Sequence, residues 1–477
     1  MACCGVARGA AELPLSHAGR WIIDAQGRVV IVHGVNMVDK VAPYEPQAAG
    51  FGDRDGALLA RLGFNAVRVG VIWKALEPLP GVFDGRYLDS IAGTVAMLAR
   101  HGIVSLLDFH QDMLNERFQG EGFPDWAIED NGLPALPRNG FPLNYETMPA
   151  LQRAFDHFWA NSPGPGGVGL QDRFAAAWRV VARRFAGDPA VLGDELFNEP
   201  FPGTGYTACG SPAGCPAFDA RLTRFDRRVT RAIRTVDRRT LVFAEPNVLF
   251  DFGAVTHLGA LDDPEAGFAF HDYCLSTGPD GCPSERTAMD HALAHVARTH
   301  EALLLTEFGS TPFAGDLSGM VARADAGMVP WLEWSFCPCE DPTGASPDPI
   351  VRDPHQPLVG ANLGALALHT LVEPYPQVIA GTPRAWRFDR AGRVFALRYS
   401  TSRAGRRGRF AAGSVTEIAT PSLTYGGRYA VTVRGGAVLS RRGAAVLRIA
   451  ACSRAHAVSV TVRPRGADHE SCRPPRR

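Results

Sequence analysis

The chain has 477 residues, 46% of them hydrophobic and 21% charged, with 49 basic side chains against 49 acidic ones. Those values describe a folded chain with room for a large core and exclude a disordered one. They leave no net field to draw it to nucleic acid, and no run reaches the roughly 18 apolar residues of a membrane-spanning helix.

The opening stretch, MACCGVARGAAELPLSHAGRW, lacks the apolar centre of a secretory signal. Eight apolar, β-rich segments then recur: VVIVHGVN (29–36), FNAVRVGVIW (64–73), IVSLLDFHQD (103–112), VLGDELFNEP (191–200), TLVFAEPN (240–247), GFAFHDYC (267–274), ALLLTEFGS (302–310) and MVPWLEWSF (328–336). Between them lie amphipathic stretches such as DSIAGTVAMLARHG and AMDHALAHVARTH. Strand and helix in alternation predict a parallel sheet, and eight repeats predict an α/β fold closed as a (β/α)8 TIM barrel over 1–380. A doubly wound open sheet is disfavoured, because no glycine-rich phosphate loop follows an early strand.

About 80 residues separate the third and fourth segments, and the part from about 113 to 165 is rich in Gly, Pro and aromatics. It is too long for a plain connector and reads as a lid or binding wall. After Pro374 the pattern changes: RAWRFDR, VFALRYS, GRYAVTV and AVLRIA alternate at period two between Gly-rich turns. That predicts a C-terminal antiparallel β-sandwich over 381–477, a stretch rich in arginine and poor in acids, which reads as a solvated surface. Cysteines fall in close pairs, Cys209 with Cys215, Cys274 with Cys282, Cys337 with Cys339 and Cys452 with Cys472. Short disulfide-closed loops are expected and with them a secreted or extracytoplasmic protein, although a single residue between Cys337 and Cys339 disfavours that bridge. Zinc spacing is missing, and neither metal nor cofactor is implied.

Polar side chains gather at the carboxyl ends of the segments: Asn36, Arg68, His110, Asp112, Asn198, Glu199, Glu245, His271, Tyr273, Glu307 and Trp334. In a barrel all these ends meet on one face. Glu199 and Glu307 stand 108 residues apart, three βα units, so both project into one mouth. Cleaving a glycosidic bond with retention needs such a pair, one acid to protonate the leaving oxygen and one carboxylate to attack the anomeric carbon. Glu199 is assigned as acid/base and Glu307 as nucleophile. Arg68 and Tyr273 suit the Glu307 carboxylate, and His271 suits Glu199. His110, Asp112 and Asn198 offer partners for sugar hydroxyls, and Trp334 a platform for a sugar face. Glu195 sits deeper on the strand of Glu199 and reads as an interior charge paired by arginine; Glu245 competes for the acid role.

NEP on the fourth segment, HDY on the sixth, TEFG on the seventh and WLEWSF on the eighth resemble the family-five retaining glycoside hydrolases of clan A. HGVNMVDKVAPYEP, FHQDMLNERFQGEGFPDWAIEDNGLP and EPYPQVIAGTP resemble, more narrowly, the endoglycoceramidases and their endogalactosylceramidase branch. The resemblance runs over nearly the whole chain. It implies cleavage between oligosaccharide and ceramide in glycosphingolipids by a monomer that contacts lipid micelles or a membrane surface. It places Lys40, Asp112, Asn198, His271, Tyr273 and Trp334 around the sugar, and Phe123 and Trp126 beside an apolar lipid groove. Two features depart from the family: no export signal opens the chain, and Asp194 stands where an aromatic residue is usual. Two other readings stay open. One keeps the chemistry and changes the substrate (glucosylceramidase, β-glucanase or β-mannanase), and the other is a catalytically inactive sugar- or lipid-binding protein.

Overall fold

The computed structural model describes residues 11–211, 213–274 and 282–473; the first ten residues and the interior of the YCLSTGPDGCP loop lie outside the described residues. Within them the eight segments form a closed parallel barrel. Its strands are His33–Met37, Ala66–Val71, Val104–Phe109, Val191–Glu195, Leu241–Ala244, Ala266–Asp272, Ala302–Phe308 and Trp331–Glu333. The eighth closes on the first, with Trp331 opposite His33 and Glu333 opposite Val35. Every residue of these strands is buried, which is why they read as continuous apolar runs rather than alternating ones.

Apolar side chains including Leu106, Leu192, Leu241, Phe243, Leu304 and Leu332 form one buried cluster drawn from every barrel strand but the first. Phe243 occupies space that a Cβ at Gly193 or Gly267 would need: one added at Gly267 would come within 2.2 Å of its ring, and one at Gly193 within 2.7 Å. The helices follow from local signals. Asp84 opens Gly85–Arg100 by accepting from the N–H groups of Arg86 at 2.8 Å and Tyr87 at 3.2 Å, the usual service of an acid at a helix start.

The first segment differs from expectation. Rather than one strand over 29–36, Val29–Val30 pairs antiparallel with Val378 and Ile379, and the barrel strand begins at His33. With Ser16–Ala18 and Trp21–Ile23 it joins Pro376–Ile379, Val415–Ala419, Val446–Ala451 and Gly436–Val438 in a seven-stranded sheet. A four-stranded sheet of Thr382–Asp389, Val394–Ser400, Ala457–Arg463 and Ala430–Arg434 completes the sandwich. Trp386, Phe395, Leu397, Ile418, Ile449 and Val460 fill the core between them. The accessory sheet thus draws strands from both ends of the barrel region.

The long insertion carries two short turns, Glu116–Phe118 and Asp125–Ala127, and helices Leu143–Thr147 and Pro149–Trp159. Disulfides join Cys209 to Cys215, Cys274 to Cys282, Cys452 to Cys472 and also Cys337 to Cys339, the pairing that the spacing disfavoured.

Candidate active site

The carboxyl ends of the barrel strands surround an open cleft of about 1210 Å³. One end is polar and holds Lys40, His110, Asp112, Asn198, Glu199, Tyr273, Glu307 and Trp334. Glu199 lies just beyond the fourth strand in a left-handed backbone conformation (φ 47°), which turns the chain out of the strand direction. Non-glycine residues in that region concentrate at functional sites. Glu307 is held within the seventh strand. Oxygens of Glu199 and Glu307 and a ring nitrogen of His271 all lie within 4.8 Å of one another. A retaining pair, whose carboxyl groups stand about 5–5.5 Å apart, needs two carboxylates brought this close.

The two glutamates have different surroundings. Glu307 is gripped by donors: the Arg68 guanidinium binds Oε1, and the Tyr273 hydroxyl donates to Oε2 at 2.8 Å. Among the described residues Glu199 has no lysine or arginine in contact. His271 Nδ1 lies 3.0 Å from its Oε1, and burial, with the Asp112 charge adding to it, pushes its carboxyl up to about 7. A carboxyl that still holds its proton near neutrality is what a general acid needs.

Arg68, fully buried, organises the floor. It pairs with Glu195 as well as Glu307, lies 3.1 Å from Asp108, and donates to the side-chain oxygens of Asn36 at 3.1 Å and Asn198 at 2.8 Å. Its hold on Asn198 orients that amide, whose Nδ2 donates to the carbonyl of Gln111 at 3.0 Å. Glu195 is therefore the arginine-paired interior acid that its position on the strand suggested.

The far wall is equally tied together. Lys40 Nζ lies 2.5 Å from Asp112 and 3.4 Å from Asp341, and 4.3 Å from the centroid of the Trp334 ring. The His110 ring lies 5.5 Å from that of Trp334 and is inclined to it by 11°. Burial opposes a charge on His110, but the Asp108 and Asp112 carboxylates override it and push the imidazole up to about 10. Burial likewise opposes both charges of the Lys40–Asp112 pair, and each partner holds the other ionised.

Eleven residues were expected here, and the structure brings ten of them together. Trp126 is the exception. Its ring packs edge-on against Trp73 at 5.3 Å and its N–H donates to the carbonyl of Glu77 at 3.0 Å, outside the cleft lining. Phe123 is likewise fully buried among Trp73, Phe158 and Phe197. The cleft's apolar half is built instead by Phe141, Leu143, Tyr206, Val248, Leu249 and Phe252. These come from a later part of the insertion and from the loops after the fourth and fifth strands.

Sequence reasoning also missed Asp108, Glu121, Asp251 and Asp341. Asp108 was open to discovery, since it lies two residues before His110 on one strand and shares its face; the other three sit in loops that carry no periodic signal. Three acid–histidine groups bring ligand-type atoms within 4.8 Å: His110 with Asp112 and Glu121, Glu195 with Glu245 and His271, and Glu199 with His271 and Glu307. In each, Lys40 or Arg68 already contacts one of the carboxylates, so the cluster meets the charge of a side chain rather than needing that of an ion.

A closed parallel barrel with two close carboxyl groups in unlike surroundings at its mouth defines a retaining glycosidase. Residues 24–340 match the cellulase model of glycosyl hydrolase family 5, and residues 374–462 match the glycoside hydrolase family 5 C-terminal domain. The chain belongs to glycoside hydrolase family 5 and is an enzyme of glycosidic bonds. It is 35% identical over 454 residues to endoglycoceramidase I of Rhodococcus hoagii (strain 103S), covering 91% of this chain and 85% of that one. Among solved structures it resembles endo-glycoceramidase II from Rhodococcus sp. as a lactosyl-enzyme intermediate, with 30% identity, a TM-score of 0.75 and coverage of 93% and 99% of the two chains. The same enzyme in complex with ganglioside GM3 superposes equally well, at 29% identity and a TM-score of 0.75 over the same shares.

Proposed function

We propose that the protein hydrolyses the β-glycosidic bond between oligosaccharide and ceramide in glycosphingolipids, releasing the oligosaccharide whole. The observation that carries this reading is the two-sided cleft. A polar end with paired glutamates continues into an apolar end lined by Phe141, Leu143, Tyr206, Leu249 and Phe252, a shape that suits a sugar joined to a lipid. Similarity to endoglycoceramidases over more than nine-tenths of the chain supports it.

In the first step the Glu307 carboxylate, oriented by Arg68 and Tyr273, attacks the anomeric carbon. Glu199 gives its proton to the departing ceramide oxygen. In the second, Glu199, now a base, takes a proton from water as that water displaces Glu307 from the sugar. The free N–H of the Asn198 amide faces the sugar 2-hydroxyl, a contact that strengthens as positive charge develops on the ring. Lys40, Asp112 and His110 bind further hydroxyls, and Trp334 stacks beneath the ring. All these groups come from one chain, so a monomer suffices. Leu143, exposed at the rim, supports contact with a micelle or membrane surface. Four disulfides favour an extracytoplasmic site of action.

The test is a product assay with lactosylceramide in detergent, beside glucosylceramide and gluco-oligosaccharides, with Glu307→Gln as control. Intact lactose and free ceramide, absent from the control, are expected. Glucose from glucosylceramide alone, or cleavage of gluco-oligosaccharides with the glycolipids untouched, would overturn the substrate while keeping the mechanism.

A further inference from the structure

Glu245 is among the buried acids of the site that the mechanism above leaves without a role. It lies just past the fifth strand, is shielded from solvent, and is outside the cleft lining. Two of its contacts lead to Glu199. Its Oε2 accepts from the backbone N–H of Glu199 at 3.2 Å, at the residue held in the left-handed conformation. Its Oε1 lies 3.4 Å from His271 Nε2, and His271 Nδ1 is the group that approaches Glu199 Oε1 at 3.0 Å.

The proton positions follow from these contacts. His271 Nδ1 faces two carboxyl oxygens, Glu199 Oε1 and, at 3.5 Å, Glu307 Oε2, so this nitrogen carries the hydrogen. In the neutral ring Nε2 then presents a lone pair toward Glu245 Oε1, and neither atom has another hydrogen-bond partner. Two lone pairs set against each other repel, whereas a proton on Oε1 turns the contact into a bond. Burial is the largest influence favouring that neutral form of Glu245; any charge on Glu195 on the fourth strand, Asp251 in the turn after the fifth, or Glu199 adds to it, and Arg68 opposes it. Burial also holds the His271 ring neutral near neutrality.

We propose that Glu245 is a positioning residue that works as a neutral acid, donating from Oε1 to His271 Nε2 while its Oε2 holds the Glu199 backbone. It thereby keeps the hydrogen of His271 on Nδ1, aimed at Glu199 Oε1, and leaves Glu199 Oε2 to carry the catalytic proton toward the leaving oxygen. This rests on Glu199 being the acid/base.

A neutral donor and a charged partner respond differently to an isostere. The amide of Glu245→Gln donates to Nε2 and accepts from the Glu199 N–H just as the carboxylic acid does, while Glu245→Leu can do neither. With lactosylceramide as substrate, Glu245→Gln keeps kcat within about threefold of the parent and the same basic limb of the pH profile. Glu245→Leu loses on the order of a hundredfold in kcat with little change in KM, the cost of a misplaced acid rather than of lost binding, and its basic limb moves. If Glu245→Gln loses as much as Glu245→Leu, Glu245 acts as a charge and the inference falls; it also falls if Glu245→Leu matches the parent. Should the leucine variant not fold, 15N-histidine spectra of the unmodified enzyme decide, because the inference requires a neutral His271 with hydrogen on Nδ1. An imidazolium, or hydrogen on Nε2, overturns it. A parallel Glu199→Gln variant separates the two readings: if it keeps parent activity, the assignment of Glu199 is wrong whatever Glu245 does.

Discussion

Replacing Arg68 by methionine removes the one cation that three buried acids share. Its guanidinium binds Glu195 and Glu307, lies 3.1 Å from Asp108, and donates to Asn36 and Asn198. Breaking a buried charge pair costs about 3–5 kcal/mol, and each lost bond to a neutral amide adds about 1 kcal/mol. The expected deficit is on the order of 5 kcal/mol, against a stability of about 5–15 kcal/mol for a typical domain. Arg68→Lys keeps the charge but not the planar fork of five donors, and it loses about half as much. The sign with pH is distinctive. Without the guanidinium, Glu195, which burial already pushes up to about 7 against the Arg68 charge, holds its proton still more tightly when folded. Its raised folded pKa leaves stability intact at low pH and removes it as pH rises. Urea unfolding at pH 5 and pH 8 reads this directly: the deficit of Arg68→Met is large at pH 8 and shrinks at pH 5. An equal deficit at both pH values, or none, would refute the account of Arg68 as the shared counter-ion. In activity, Arg68→Met falls by on the order of a hundredfold or more, because Glu307 loses its alignment.

Three further outcomes follow from particular contacts. The carboxyl of Glu199, pushed up to about 7 by burial, sets the basic limb of kcat/KM: activity falls as pH rises through about 7, and the limb disappears in Glu199→Gln. Asp325 on the helix Ala314–Gly327 and Glu373 before the sandwich form a buried acid pair beside Trp386, Glu373 being bound at 2.6 Å by Arg390. Burial first and foremost pushes Asp325 up to about 7, so its cost to the folded state is absent below pH 4, grows through pH 4–7 and stays above. Asp325→Asn is expected to stabilise by up to about 4 kcal/mol at pH 8 and by nothing at pH 4, read by chemical denaturation. Leu143→Ser with Phe252→Ser strips the apolar rim; KM for lactosylceramide rises by roughly tenfold, as burying about half of each side chain implies, while hydrolysis of a water-soluble aryl lactoside is unchanged.

The barrel was legible in the sequence because parallel strands covered on both faces are written as unbroken Val, Leu and Phe runs, and their polar ends mark one face. Ten of the eleven expected site residues lie on or just beyond such ends, where strand periodicity constrains direction. Lys40, three residues past the first strand, shows how far that constraint reaches. Trp126 was misplaced because an insertion without periodic pattern gives no direction for its side chains. Trp73, fully buried beneath, offers an aromatic face that competes with any ligand. The apolar rim was illegible for the same reason, since Leu143 and Phe252 lie in different loops and meet only once the barrel has closed. The split of 29–36 into two strands was hidden because the partner of Val29–Val30 lies some 350 residues on, and apolar content alone does not name a partner.

The charges of the mouth explain why its acids take different parts. Asp108, Asp112, Glu121, Glu195, Glu199, Glu245, Asp251 and Glu307 meet there, with Lys40, Arg68 and His110 as cations. Burial raises Glu121, Glu245 and Asp251 well above the usual carboxylate range, and Glu195 and Glu199 to about 7. Setting those five aside leaves Asp108, Asp112 and Glu307, with Asp341 beside Lys40, facing the three cations. Arg68 contacts Glu307 and not Glu199, so the carboxylate proposed as nucleophile has the counter-ion and the carboxyl proposed as acid/base has only burial and an imidazole. Moving a cation to Glu199 would erase that difference. A lysine introduced at Val248, on the cleft wall, is therefore expected to shift the basic limb of the pH profile downward, because a nearby positive charge favours the ionised carboxylate. An unmoved limb in a folded Val248→Lys variant with its ammonium seated at Glu199 would mean that the limb belongs to another group.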